Sequence, residues 1–220
     1  MPPPGATVVG VLALQGDFPA HKASLQQAAG WAPELCIREV RRPADLDGLH
    51  ALVLPGGESS TMWKLAVASG LVEPLRQCIE IGMPVLATCA GLILLATNVS
   101  PHQPSLALLD VEVERNGYGR QVHSGSQQLV GDRGFPACSG VFIRAPRITR
   151  IGADVEVLAR WNRDPVLVRR NHVLAACFHP ELADCHPLTQ LFLESFSSLF
   201  FLERLSSRCF DPRSSDPLSE

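Results

Sequence analysis

The sequence predicts an α/β fold: a mostly parallel central sheet flanked by helices and continued by a mixed or antiparallel extension. Three observations predict it. In the first hundred residues, short continuous apolar runs alternate with segments of helical spacing, the order that builds a parallel sheet covered on both faces. The second half carries short stretches in which apolar and polar residues alternate, as in strands with one buried face. A last apolar series at helical spacing supplies a closing helix.

Thr7 to Leu14 is a β-branched and aliphatic run that stops at Gln15-Gly16-Asp17, hence a buried strand and a loop. Phe18 to Ala29 suits a helix, Glu34 to Val40 a second strand, and Ala51 to Leu54 a third, halted by Pro55-Gly56-Gly57. Thr61 to Ala68 and Leu71 to Ile81 have helical spacing. Met83 to Thr88 is an apolar strand that turns through Cys89 into the apolar helix that follows. Leu109 to Glu114, Gly140 to Arg144, Val155 to Trp161, Pro165 to Val168 and Val173 to Phe178 are the strand candidates of the extension. Leu188, Leu191, Phe192, Phe196, Leu199 and Phe200 mark the closing helix, whose apolar face docks on the sheet. Residues 7–205 form one domain, and the Pro-rich start (1–6) and the Ser, Pro, Asp and Arg-rich end (206–220) are expected to be disordered.

With 46% hydrophobic and 19% charged residues, 220 residues suffice for a full core. A net charge of −3 without a basic run argues against nucleic acid as a partner. Seven cysteines without a Cys-x-x-Cys pair read as reduced thiols and point to the cytoplasm, not to a disulfide framework or structural zinc site. The start lacks the charged and apolar regions of a signal peptide, and no stretch approaches the roughly 20 apolar residues of a membrane span, so neither secretion nor a membrane anchor is expected.

Chemistry concentrates at strand ends. A thiol on a strand-to-helix turn, as at Cys89, is held off the main chain near free N–H groups and the positive end of a helix, which favour thiolate. His179 ends another apolar strand, and Glu181 stands two residues on. If the extended conformation persists through Pro180, both face the same side, and Cys89, His179 and Glu181 make a nucleophile, a general base and the carboxylate that orients it. An oxyanion formed there needs N–H donors, for which Ala90 and Gly57 are the candidates. The glycine loop also admits a plainer reading, a tight turn with Ser59 or Ser60 capping the next helix. Cys177, His179, Cys185 and His186 fit no strong zinc pattern, so no metal site is expected.

Taken together, Gly10–Phe18, Leu54–Met62, Thr88–Leu92, Val113–Asn116, Gly140–Pro146 and Phe178–Leu182 closely resemble the glutaminase subunits of pyridoxal phosphate synthases, within the class I glutamine amidotransferases. The likeness runs from about Thr7 to about Leu202. It implies hydrolysis of L-glutamine through a glutamyl thioester, with ammonia channelled to a ring-building synthase subunit for vitamin B6. It implies the roles above for Cys89, His179 and Glu181, and a glutamine pocket lined by Gly56, Gly57, Glu58, Arg115, Ile143 and Arg144. It further implies no cofactor, a large hetero-oligomer, and activity that rises when the synthase docks. Gly119–Ser126 departs from the family's pattern, with glycine and serine where an aromatic and an acidic residue are usual, and Ser60 stands where threonine is commoner. A γ-glutamyl hydrolase, another class I amidotransferase, and a docking subunit without catalysis are the alternatives.

Overall fold

The computed structural model describes residues 6–28, 35–119, 125–183 and 186–196. The expectations for residues 1–5, Leu199, Phe200 and the 206–220 tail, and most of the unusual 119–126 segment, fall outside that set. The elements are β1 (Thr7–Leu12), α1 (Phe18–Ala28), β2 (Leu35–Val40), β3 (Ala51–Leu54), α2 (Ser59–Ala68), α3 (Val72–Glu80), β4 (Val85–Thr88) and α4 (Ala90–Leu95). There follow β5 (Ala96–Ser100), β6 (Leu109–Glu114), β7 (Gly125–Gly131), β8 (Cys138–Phe142), β9 (Arg147–Ile151), β10 (Glu156–Trp161), β11 (Asp164–Arg170), β12 (Val173–Ala176) and α5 (186–196).

The α/β expectation holds. Nine strands form one sheet in the order β2-β1-β3-β4-β12-β11-β10-β7-β8. From β2 to β12 every neighbour is parallel, and from β12 to β8 every neighbour is antiparallel. β3, β4 and β12 are buried at every residue, as strands covered on both faces must be, and their sequences are accordingly unbroken apolar runs.

The Leu109 to Glu114 stretch is a strand but does not extend this sheet. It forms a separate three-stranded sheet with β5 and β9. β5 leaves α4 without a loop and carries β6 away from the main sheet, and Arg150 on β9 then pins Asp110 and Glu112 on β6 at 2.6 and 2.8 Å. Alternation along one strand shows that a face is buried but not which sheet buries it.

Leu188, Phe192 and Phe196 of α5 join the same core as the sheet, with the two rings edge to face at 5.2 Å between centroids. Each such side chain contributes on the order of 1.5–3 kcal/mol by leaving water. No helix among the described residues is long and apolar enough to cross a membrane.

Candidate active site

Three adjacent parallel strands finish at one edge of the sheet, and each delivers part of a site. β3 runs into Pro55-Gly56-Gly57, β4 into Cys89, and β12 into Cys177-Phe178-His179. Their registers match, with Leu54 beside Ala87 and Thr88 beside Ala176, so residues far apart in sequence emerge side by side.

Cys89 occupies the turn with φ 46° and ψ −101°. A side chain there costs about 1–3 kcal/mol of backbone strain. The surroundings hold it: its N–H donates to the Ala176 carbonyl at 2.8 Å, and its own carbonyl accepts from Ile93 at 3.3 Å. α4 is only six residues long, so what it offers the thiol is the free N–H groups of its first turn.

The His179 ring shares the cavity with Cys89, whose sulfur favours the protonated ring. The ring's Nδ1–H donates to Glu181 Oε1 at 2.8 Å, the carboxylate fixing which nitrogen carries the proton. Chain geometry corrects the sequence argument. Pro180–Leu182 is a 3-10 turn, not a continued strand, and it curls Glu181 back under the ring. Burial works against charge on His179, yet Cys89 and Glu181 outweigh it and raise its pKa to about 10. Burial also opposes charge on Glu181, whose side chain is 0% exposed, but hydrogen bonds from His179 and His21 bring its pKa down to about 2.

A cavity of about 350 Å³ opens onto the thiol. Gly56, Gly57, Glu58, Arg115, Ile143 and Arg144 all line it with Cys89 and His179, as do Asp17, Ser59, Ile93, Asn116 and Leu182. Two of the residues singled out by sequence do not: Ala90 is fully buried at the start of α4, and Glu181 lies behind His179, reached from a groove between α1 and the β7–β8 hairpin. Arg115 enters the cavity already engaged, its Nη2 donating to Glu58 Oε1 at 2.8 Å, and Ser60 Oγ donates to the same oxygen at 3.0 Å. The helix-capping expectation fails here: α2 has no side-chain cap, because Ser60 turns to Glu58 and Ser59 Oγ donates to Gln103 Oε1 at 2.9 Å.

Both glycines of the loop are needed where they stand. A Cβ on Gly56 would run into the His179 ring, and one on Gly57, whose φ is 157°, would lie 2.6 Å from Gln15 Oε1. Gln15 was missed as a site residue. Its Oε1 accepts the Glu58 N–H at 2.8 Å, and with Asp17 N–H donating to the Gly56 carbonyl at 3.1 Å it clamps the glycine loop from the β1–α1 connection.

Known proteins resemble this chain over most of its length. The SNO glutamine amidotransferase family matches residues 11–198. A Thermus thermophilus protein named pyridoxal 5′-phosphate synthase subunit PdxT is 50% identical over 190 residues, 85% of this chain and 96% of that one. A protein of the same name from Parafrankia sp. is 46% identical over 200 residues, 89% of this chain and 96% of its own. A crystal structure titled as a glutamine amidotransferase superposes with a TM-score of 0.78 at 47% identity, covering 86% of this chain and 98% of that one. A putative GMP synthase protein from Thermoplasma acidophilum, 16% identical, shares the fold with a TM-score of 0.66, covering 90% of this chain and 98% of its own. With a family match from residue 11 to residue 198 and relatives this similar over nearly their whole length, the chain belongs to the SNO glutamine amidotransferase family.

Proposed function

We propose that this chain is the glutaminase of a pyridoxal phosphate synthase and that Cys89, His179 and Glu181 carry out the hydrolysis. The observation that carries the reading is that His179, held by a buried Glu181 at 2.8 Å, shares with Cys89 a cavity lined by two arginines. His179 accepts the thiol proton, and the sulfur attacks the side-chain amide carbon of glutamine. The resulting oxyanion is met by the main-chain N–H groups of Ala90 and Gly57. His179 then gives its proton to the leaving nitrogen, ammonia departs, and a glutamyl thioester remains. Water, deprotonated by the same ring, attacks the thioester, returns glutamate and restores the thiol.

Arg115 and Arg144 are suited to the α-carboxylate of glutamine, because a guanidinium bonds both oxygens at once. The free carboxylate oxygen of Glu58 suits the α-ammonium group, and Ile143 covers the aliphatic stem. The names of the relatives support a ring-building synthase partner as the acceptor of the ammonia. A large hetero-oligomer, a protected ammonia path, dependence on docking and a cytoplasmic setting complete the proposal.

The test is glutamine-dependent ammonia release by the purified chain, with and without its synthase partner, against a C89A blank. Release that needs the partner and vanishes in C89A is expected. Formation of the complex without release overturns the enzymatic reading and leaves a docking subunit.

A further inference from the structure

α1 contributes a residue to this site that neither the strand ends nor the cavity lining reveals. His21 is 2% exposed, and Nε2 lies 3.2 Å from Glu181 Oε1 and 3.0 Å from Thr88 Oγ1. A carboxylate oxygen only accepts, so in the tautomer with the proton on Nε2 that proton lies between the two oxygens. Thr88 is the residue before the nucleophile, and Glu181 is the carboxylate behind the base. One ring therefore touches one end of the triad and the neighbour of the other from a third element.

Glu181 depends heavily on this contact. Its hydrogen bond from His179 and its 3.2 Å contact with His21 both fall on Oε1, and Oε2 is buried with no partner among the described residues. A carboxylate with 0% side-chain exposure stays ionised only if its donors offset the lost water. Losing His21 would leave His179 as the sole donor among the described residues, and the carboxylate would be free to turn or to take up a proton. Either event releases His179 Nδ1–H from its fixed direction.

We propose that His21 is a positioning residue of the hydrolytic site, holding Glu181 in the orientation that aligns His179 with Cys89. The inference rests on the glutaminase reading above. Other titratable groups around Glu181 are differently placed. Lys22, the next residue on α1, turns away to Glu39 at 2.7 Å; Cys138 on β8 is a buried thiol; and His186 on α5 borders the same outer groove as Glu181. Asp17 lines the cavity on the thiol side.

The test compares H21L, which keeps bulk without a donor, with H21Q, whose amide can donate from nearly the position of Nε2. Each is assembled with the synthase partner, then assayed for kcat, KM and the pH profile of kcat/KM. H21L should lose about tenfold in kcat, the scale of one hydrogen bond to a charged group, because His21 does not line the cavity and KM should hold within about twofold. Its acid limb should move to higher pH, and H21Q should recover most of both. Full kcat in H21L overturns the proposal. So does an equal loss in H21Q and H21L with an unmoved acid limb, since ring volume alone would then explain it. Should H21L fail to fold, H21M supplies the donor-free arm of the same comparison. A wild-type complex that releases no ammonia sinks the glutaminase reading; an active wild type with an indifferent H21L sinks only the role of His21.

Discussion

The two halves of the main sheet solve opposite problems. In the parallel half, β3, β4 and β12 are buried on both faces and have no side chain to spare for chemistry along their length. Everything they offer a ligand is at their ends, where strain at Cys89 and crowding at Gly56 are concentrated. In the antiparallel half, β8 alternates buried and half-buried residues, and the outward faces carry exposed ion pairs such as Arg169–Glu156 between β11 and β10. One half spends its stability on holding a difficult geometry, and the other tolerates change. Substitutions should therefore differ by region more than by residue type.

The largest expected effect is on chemistry in the parallel half. C89A should lower ammonia release at least about 10³-fold, measured in the assembled complex, while the fold persists. G56A should come next: the new Cβ meets the His179 ring, and a base displaced by about 1 Å loses on the order of 10²-fold in kcat. Wild-type kcat in G56A would break the contrast, since it would show that the catalytic edge can yield. A stability measurement sharpens it further. C89G should unfold later than C89A by about 1 kcal/mol, because glycine accepts the φ of 46° at Cys89 without strain.

The pH dependence of stability follows from the same pair of groups. His179 has a raised pKa in the folded chain, so its contribution is complete below the ordinary value of 6.5 and is lost as pH climbs toward about 10. Glu181 is shifted downward, so its contribution is complete above 4.5 and is lost as pH falls toward about 2. Chemical unfolding at a series of pH values should show the alkaline loss in wild type and a flatter alkaline side in C89A, which lacks the sulfur that favours the protonated ring. The smallest effect belongs to the other region. R169A, on an exposed pair, should leave the unfolding midpoint and kcat unchanged within error.

Much of this was legible because burial leaves a pattern. The runs at Thr7, Ala51, Val85 and Val173 read as strands since nothing polar interrupts them, and their ends then located Gly56, Gly57, Cys89 and His179. β5, β7 and β9 went unread for the opposite reason. Thr-Asn in β5, Ser126 and Gln128 in β7 and the arginines of β9 are exposed and erase the apolar signal. His21 was overlooked because a single histidine in a helix carries no signal alone. Its spacing of four from Leu25, the other buried residue of α1, was the available clue that it faces inward. Gln15 and Gln103 act through contacts across the fold, which no local spacing records.

The position of β12 has a consequence for how the protein is made. Within the nine-stranded sheet it lies between β4 and β11, and it is also the strand that leads to His179. Translation delivers the thiol some ninety positions before the base, and the strand that seats between β4 and β11 and presents that base is made only at residues 173–176. A chain terminated before residue 179 therefore holds a cysteine with no His179 to activate it, and should release no ammonia.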